Sequence, residues 1–208
     1  MVRAVIFDID GVLLASFEAN LKFFQDLMAK FGYPPPTREE YPALFPLPMY
    51  EHIKMLTKLT SEEEIKKIWE VGKSGAVSFH EDLAKVPLGV EDALKILSQQ
   101  YPLGIVTSRV REAVFRAPQM KKLKSYFQVA IAYQDTVKHK PDPEPLFLAA
   151  EKLQVKPAEV VYIGDADVDI VAGRAAGMRV VVYAKENRLK ADGCFSVFSE
   201  LPELIKTF

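Results

Sequence analysis

Five short segments of this chain are β-rich and apolar on both faces: residues 2–8, 103–107, 129–133, 160–164 and 179–183. Helical patterns separate the later segments, at residues 90–100, 143–153 and 168–176. Strands that are buried on both faces are typical of parallel sheets, in which helices form the crossovers. The alternation therefore predicts an α/β fold whose Rossmann-like core is a doubly wound parallel sheet.

The interval between the first and second predicted strands is far longer than one crossover needs. Five apolar residues in it share one helical face: Phe17, Leu21, Phe24, Met28 and Phe31. A second helical stretch covers about residues 61–79, and no convincing strand occurs. We therefore predict a catalytic core of residues 1–14 and 88–208, with a small α-helical cap domain inserted at residues 15–87. An ordinary helical elaboration of the sheet is the alternative.

The composition excludes several classes of protein. The formal net charge of -1 gives no general attraction to nucleic acid or to an anionic membrane surface. No apolar run approaches the ~20 residues that a membrane-spanning helix needs. The single cysteine, Cys194, cannot form an internal disulfide, which fits a reducing compartment. We expect a cytoplasmic protein that binds neither nucleic acid nor membranes, while its oligomeric state stays open.

Chemically active side chains follow four of the five predicted strands. They are Asp8 and Asp10 after the first strand, Thr107, Ser108 and Arg109 after the second, Lys140 after the third, and Asp165, Asp167 and Asp169 after the fourth. Ligands of open α/β sheets bind beyond the carboxyl ends of the strands, so we expect these groups at one site. Asp167 is most simply the N-cap of the helix that follows.

The carboxylates of this set suit a hard cation. Asp8 and Asp10 are two residues apart in extended chain and can face the same side. With Asp165 they would carry up to three negative charges, and oxygen ligands of this kind favour Mg²⁺. An EF-hand is excluded, because the segment after Asp165 lacks the glycine and glutamate that such a loop requires.

The remaining groups point to phosphoryl transfer. Thr107 and Ser108 can donate hydrogen bonds to an anion, and Lys140 supplies a compact positive charge. We take these three residues and Arg109 as the candidate phosphate-binding set. An aspartate nucleophile would form an aspartyl-phosphate, and a second carboxyl group would then transfer the proton.

Four motifs, "DIDGV", "IVTSR", "KPDP" and "GDADVD", stand in this order in the chain. They resemble the four motifs of the haloacid dehalogenase-like hydrolase superfamily. The insertion resembles the helical cap of its phosphoglycolate phosphatase and β-phosphoglucomutase-like branch. The resemblance implies that Asp8 is the nucleophile and Asp10 the general acid/base. It also implies that Thr107 binds the phosphate and that Lys140 balances the charge of nucleophile and phosphate.

The same resemblance implies a metal site. Mg²⁺ would be bound by the Asp8 carboxylate, the main-chain carbonyl of Asp10 and the Asp165 carboxylate. Asp169 would support these ligands without contacting the ion. A dehalogenase would not need Asp10 or Asp165. A response-regulator receiver would be shorter and would need neither an acid/base nor a cap.

The leading interpretation is a Mg²⁺-dependent phosphatase that acts on a small phosphorylated metabolite. A sugar phosphomutase is one alternative, although position 20 holds Asn20 where β-phosphoglucomutases carry a histidine. A catalytically silent metal- or phosphate-binding protein of the same fold is another. The cap has "LFPLPMYEHI" in place of a glycine-rich substrate loop. Its polar candidates for substrate recognition are Arg38, Tyr50, His52 and Lys54.

Overall fold

The structure, a computed structural model, describes all 208 residues and contains one six-stranded parallel sheet. The strands are β1 (Ala4–Phe7), β2 (Leu103–Val106), β3 (Val129–Ile131), β4 (Val160–Gly164), β5 (Arg179–Tyr183) and β6 (Gly193–Phe195). Their order in the sheet is β3-β2-β1-β4-β5-β6, so the direction of winding reverses at β1. The predicted doubly wound α/β fold is confirmed.

The five predicted strands are present, and their bounds differ from the sequence pattern only at strand ends. The bounds of β4 and β5 match the prediction, whereas β1, β2 and β3 are each shorter by one to three residues. The edge strand β6 was not predicted. It has three residues, Gly193, Cys194 and Phe195, which are too few to show a β pattern without knowledge of the neighbouring β5.

Nine α-helices accompany the sheet. They are α1 (Phe17–Lys30), α2 (Met49–Thr57), α3 (Glu62–Ser74), α4 (Val90–Ser98), α5 (Arg111–Val114), α6 (Pro118–Leu123), α7 (Glu144–Lys152), α8 (Asp167–Ala175) and α9 (Leu201–Lys206). None of them combines the length and apolar character that crossing a membrane requires.

Two apolar layers cover the sheet, one on each face. Val5 and Phe7 of β1 belong to a cluster of 26 buried residues that includes the buried faces of α4, α6 and α9. Ala4 and Ile6, which point the opposite way, belong to a cluster of 13 with α7 and α8. The alternation follows from the two-residue period of a strand, and it explains why the segment is apolar throughout.

The start of α8 differs from the prediction. Asp167 is the first helical residue and Ala166 is the N-cap, so the N-cap assignment of Asp167 is wrong. The Asp169 carboxylate instead accepts hydrogen bonds from the main-chain N–H groups of Asp165 and Ala166, at 3.2 and 3.1 Å. The helix end was predicted correctly, because Gly177 follows it with a positive φ of 73°.

The segment between β1 and α4 has its own apolar cluster. Eleven buried residues between Leu21 and Val77 form it, and they come from α1, α2, α3 and the turns between them. At the base of this segment, Ala15 and Lys85 exchange two main-chain hydrogen bonds of 2.8 and 3.2 Å. An inserted α-helical cap is thus part of the fold, while its bounds at residues 15 and 87 stay a prediction.

Candidate active site

The candidate site lies at the carboxyl end of the central strands. Asp8 directly follows β1, Thr107 directly follows β2, and Asp165 directly follows β4. Lys140 comes from the loop between β3 and α7. Because the sheet order reverses at β1, the loops after β1 and its two neighbours open onto one crevice.

Lys140 is the centre of a buried ionic network. Its ammonium group lies 3.0 Å from Asp8 Oδ2 and 2.7 Å from Asp169 Oδ1. The Tyr162 hydroxyl accepts from Lys140 at 3.1 Å and donates to the same Asp169 oxygen at 2.7 Å. Burial by itself would lower the pKa of Lys140, but the carboxylates of Asp169 and Asp8 raise it well above its usual value. The lysine is therefore a fixed positive charge.

One lysine does not neutralise the carboxyl groups around it. Burial raises the pKa of Asp8 to about 7 and that of Asp165 to about 8, and in both cases neighbouring aspartates add to the effect. Carboxylate oxygens of Asp8, Asp165 and Asp169 all lie within 4.8 Å of one another. This excess of buried negative charge is what a divalent cation would offset.

The local backbone also fits a cation. Gly11 has a φ of 80°, and a Cβ added there would come within 1.9 Å of an Asp165 carboxyl oxygen. Glycine thus lets the loop after β1 approach Asp165 closely. The main-chain carbonyl oxygen of Asp10 accepts no backbone hydrogen bond. The donor set is therefore rich in oxygen and suited to Mg²⁺.

Asp10 has different surroundings from those of Asp8. The Arg109 guanidinium binds it in a bidentate manner, with Nε 2.7 Å from Oδ2 and Nη2 2.6 Å from Oδ1. Oδ1 also accepts hydrogen bonds from the Ser16 hydroxyl and from the Asn20 amide, the latter at 2.8 Å. Burial alone would raise the pKa of Asp10, but Arg109 and these hydrogen bonds hold it below its usual value.

The hydroxyl groups after β2 make few hydrogen bonds within the protein. Thr107 is buried, and its Oγ1 accepts from the Arg109 main-chain N–H at 3.2 Å. Ser108 lines the crevice and makes no side-chain hydrogen bond within the protein. The Arg109 side chain contacts Asp10 instead of an open position, so its predicted role in phosphate binding stays a prediction.

Sequence reasoning missed two members of the site. Tyr162 is fully buried in β4, and it links Lys140 to Asp169. A signal for it existed, because a tyrosine inside the apolar stretch "VVYIG" needs a partner for its hydroxyl. Ser16 gave no such signal, because a single serine before a helix is most simply a cap.

A cavity of about 950 Å³, including its open mouth, separates the sheet from the helical segment. The cavity wall from the helical segment is mostly aromatic and aliphatic, and it includes Phe24, Phe45 and Met49. Of the four polar candidates in this segment, only His52 lines the cavity. Arg38, for example, pairs with Glu18 on the exposed surface.

Comparison with known proteins identifies the family. The family described as "Haloacid dehalogenase-like hydrolase" matches residues 5–183. The chain belongs to this family. A Clostridium perfringens protein provisionally named pyrophosphatase PpaX is 32% identical over 180 residues, which cover 86% of this chain and 82% of that protein. Membership makes the chain an enzyme of the hydrolase class, and the resemblance of the four motifs is confirmed.

Solved structures share the whole architecture, including the helical cap. A Lactobacillus plantarum protein provisionally assigned as a phosphoglycolate phosphatase superposes with a TM-score of 0.85 at 25% identity, covering 98% of this chain and 100% of that one. A β-phosphoglucomutase from Clostridium difficile superposes with a TM-score of 0.83 at 23% identity, covering 100% and 96%. The second likeness concerns the fold alone.

Proposed function

We propose that the protein is a Mg²⁺-dependent phosphatase that hydrolyses a small phosphomonoester through an aspartyl-phosphate on Asp8. The observation that carries this proposal is the pairing of Asp8 with the buried Lys140, 3.0 Å away, beside a second, differently held carboxylate at Asp10. The named phosphatases among the relatives support the same reaction class. Mg²⁺ held by Asp8, Asp165 and the Asp10 carbonyl would supply positive charge beside the phosphoryl group.

The first half-reaction uses both aspartates. A carboxylate oxygen of Asp8 bonds to phosphorus while the bond from phosphorus to the ester oxygen breaks. Asp10 gives its proton to that departing oxygen. Lys140 keeps Asp8 in place and offsets charge that accumulates on the phosphoryl oxygens.

The second half-reaction restores the enzyme. Water attacks phosphorus, its proton passes to Asp10, and the bond between Asp8 and phosphorus breaks to release inorganic phosphate. The contacts of Asp10 favour its ionised form, which is the form that accepts this proton. A substrate phosphate would compete with Asp10 for Arg109, and that exchange would let Asp10 carry a proton in the first half-reaction.

A mutase is less well supported. Position 20 carries an amide that donates to Asp10 at 2.8 Å and cannot act as a base near neutral pH. Water, and not a second sugar hydroxyl, is therefore the proposed phosphoryl acceptor.

The test is a panel of phosphomonoesters that includes phosphoglycolate, sugar phosphates and phenyl phosphate, assayed for phosphate release with Mg²⁺ and with EDTA. We expect release with Mg²⁺ and none above background with EDTA. Phosphorus NMR of a reaction with β-glucose 1-phosphate and a bisphosphate primer separates hydrolysis from transfer. Glucose 6-phosphate accumulating with little free phosphate would overturn the proposal in favour of a mutase.

A further inference from the structure

The cavity above the candidate site has two chemically different walls. All its charged lining residues come from the sheet side: Asp8, Asp10, Arg109, Arg116, Asp165 and Asp169. The helical segment contributes mostly aromatic and aliphatic side chains, with Asn20 and His52 as polar groups, and no aspartate, glutamate, lysine or arginine. Since the phosphoryl group must lie near Asp8, the leaving group of the substrate faces the apolar wall.

His52 is the one imidazole on that wall, and its contacts fix its tautomer. Nδ1 lies 3.1 Å from the Pro48 carbonyl oxygen, which can only accept a hydrogen bond. Nδ1 therefore carries the proton, and Nε2 of the neutral ring is an acceptor. The ring is stacked on Phe24, with centroids 4.0 Å apart and planes 4° apart, so it cannot turn without losing this contact.

The Nε2 atom of His52 has no hydrogen-bond partner within the protein, although only 2% of the residue is exposed. Burial also lowers the pKa of His52 to about 4, so protonation does not relieve this atom near neutral pH. A buried acceptor without a partner is unfavourable unless a ligand or a water donates to it. The cavity beside His52 is the place from which a donor can come.

We propose that the cap wall selects a phosphomonoester whose leaving group has an apolar, flat body with one hydrogen-bond donor, and that His52 Nε2 accepts from this donor. The inference rests on the proposed phosphatase function and names its substrate class. Aromatic rings such as Phe23, Phe24 and Phe45 favour a flat leaving group by stacking or edge contacts. His52 is then a specificity-determining residue.

Pyrophosphate does not fit this wall, although a relative bears the name of a pyrophosphatase. Its leaving group is a second phosphate, whose charge would be desolvated against Phe45, Leu47 and Met49, and no lysine or arginine of the helical segment lines the cavity to offset it. Arg109 does not supply the missing cation, because it pairs with Asp10 and, in the proposed reaction, is taken up by the transferred phosphoryl group.

Arg116, the other cation that lines the cavity, is held at the end of α3. It donates to the Lys73 carbonyl oxygen at 2.9 Å. It also lines the neighbouring groove that contains Glu81 and Asp82. Its guanidinium is therefore engaged by a main-chain carbonyl of α3 and is shared between the cavity and this groove.

The first test compares kcat/KM for phenyl phosphate, its three monohydroxy isomers and pyrophosphate. We expect at least one hydroxyphenyl phosphate to exceed phenyl phosphate by about tenfold, the value of one good hydrogen bond. Pyrophosphate should be at least about 100-fold poorer than that isomer, since its charge is left unpaired. These comparisons use the unaltered enzyme and do not depend on the folding of a variant.

Two pairs of variants test the residues. His52→Phe keeps the stacked ring without the acceptor, so kcat/KM for the best hydroxyphenyl phosphate should become about equal to that for phenyl phosphate. His52→Gln has an amide oxygen that can accept, so it should restore part of the difference in kcat/KM. Met49→Lys places a cation on the apolar wall and should raise pyrophosphate hydrolysis relative to phenyl phosphate about tenfold. Met49→Gln, of similar length without charge, should not.

The possible failures are distinguishable. If pyrophosphate is the best substrate, the inference is wrong while the phosphatase function stands. If no hydroxy isomer exceeds phenyl phosphate, or if their ratio survives in His52→Phe, then His52 does not accept from the leaving group. If no ester releases phosphate at all, the proposed function fails, and the substrate class fails with it.

Discussion

Asp8 and Asp10 are two residues apart on one loop, yet their carboxyl groups have opposite surroundings. Asp8 has one cationic partner, Lys140, and its pKa is raised to about 7. Asp10 has the bidentate Arg109 with Ser16 and Asn20, and its pKa is lowered. The difference shows that the partners supplied by distant segments, and not the residue type, decide which carboxylate is held ionised.

This contrast gives the two residues different chemical uses. A carboxylate with too few cationic neighbours is stabilised by a bound cation and by conversion to an acyl phosphate. A carboxylate that is already saturated by donors is a poor nucleophile, but it can exchange a proton when one of those donors leaves. Three predictions test the contrast, each by a change at one of the two carboxylates or its partners.

Asn substitutions at the two positions should have unequal effects. Asp8→Asn removes the phosphoryl acceptor, so turnover should fall to the rate without enzyme. Asp10→Asn removes only acid/base assistance, which is typically worth ~10² to 10⁴-fold. Steady-state phosphate release measures both, with circular dichroism as the control for folding. A loss below about fivefold in Asp10→Asn, or activity near wild type in Asp8→Asn, would show that the roles are wrongly assigned.

Removing Arg109 should shift the pKa of Asp10 in the same direction as that of Asp8, upward. Because the guanidinium lowers the pKa of Asp10, Arg109→Gln should raise that pKa. Carboxyl ¹³C NMR titration of aspartate-labelled protein measures it, and Asp10→Asn identifies the resonance. Arg109→Lys, which keeps a charge but not the bidentate geometry, should give a smaller rise. An unchanged titration in Arg109→Gln would exclude the guanidinium as the cause.

The smallest effect concerns stability. The pKa values of Asp8 and Asp165 are higher in the folded chain than the usual value of 3.8, so both groups bind protons more tightly when the chain is folded. The protonated groups therefore contribute fully to the free energy of unfolding below pH ~4, and this contribution is lost as the pH rises through 7 to 8. Thermal melting without metal should therefore show falling stability over this range. Saturating Mg²⁺ should raise the melting temperature by about 5 to 10 °C, and more at pH 8.5 than at pH 6.

Asp165→Asn is the matched control for the melting experiment. It removes a carboxyl group whose pKa is raised and which is also a proposed metal ligand. Both the decrease of the melting temperature with pH and its increase with Mg²⁺ should therefore be smaller. A response to Mg²⁺ that is equal in the wild type and in Asp165→Asn would place the ion elsewhere.

The sequence predicted that the candidate side chains lie together at one end of the sheet, because strand ends and motif order determine their place. Lys140, for instance, is buried beside Asp8, whereas the nearby Lys138 is exposed. The pairing of Arg109 with Asp10 was not predictable, since it joins residues 99 positions apart whose side chains could each have met another partner. Local patterns carry no information about such a choice.

The cap was predicted less completely for a similar reason. Its helices follow from apolar periodicity, but α2 begins directly after a stretch rich in proline and aromatic residues, which obscures its start in the sequence. That His52 faces the cavity, whereas Lys54 is exposed, depends on how α2 packs against α1. This is tertiary information that the sequence of α2 does not contain.

The hydrogen-bonded pair of Ala15 and Lys85 brings the two ends of the helical segment together at one point of the core. An inserted segment whose two ends lie side by side does not force the core to change its structure. Insertions at such places are therefore well tolerated. Asp8, Asp10 and Lys140 lie outside this segment, whereas His52 and the aromatic wall lie inside it. Chimeras that exchange the stretch between these two residues with a relative would thus transfer substrate preference together with Ser16 and Asn20, the two donors that the segment supplies to Asp10.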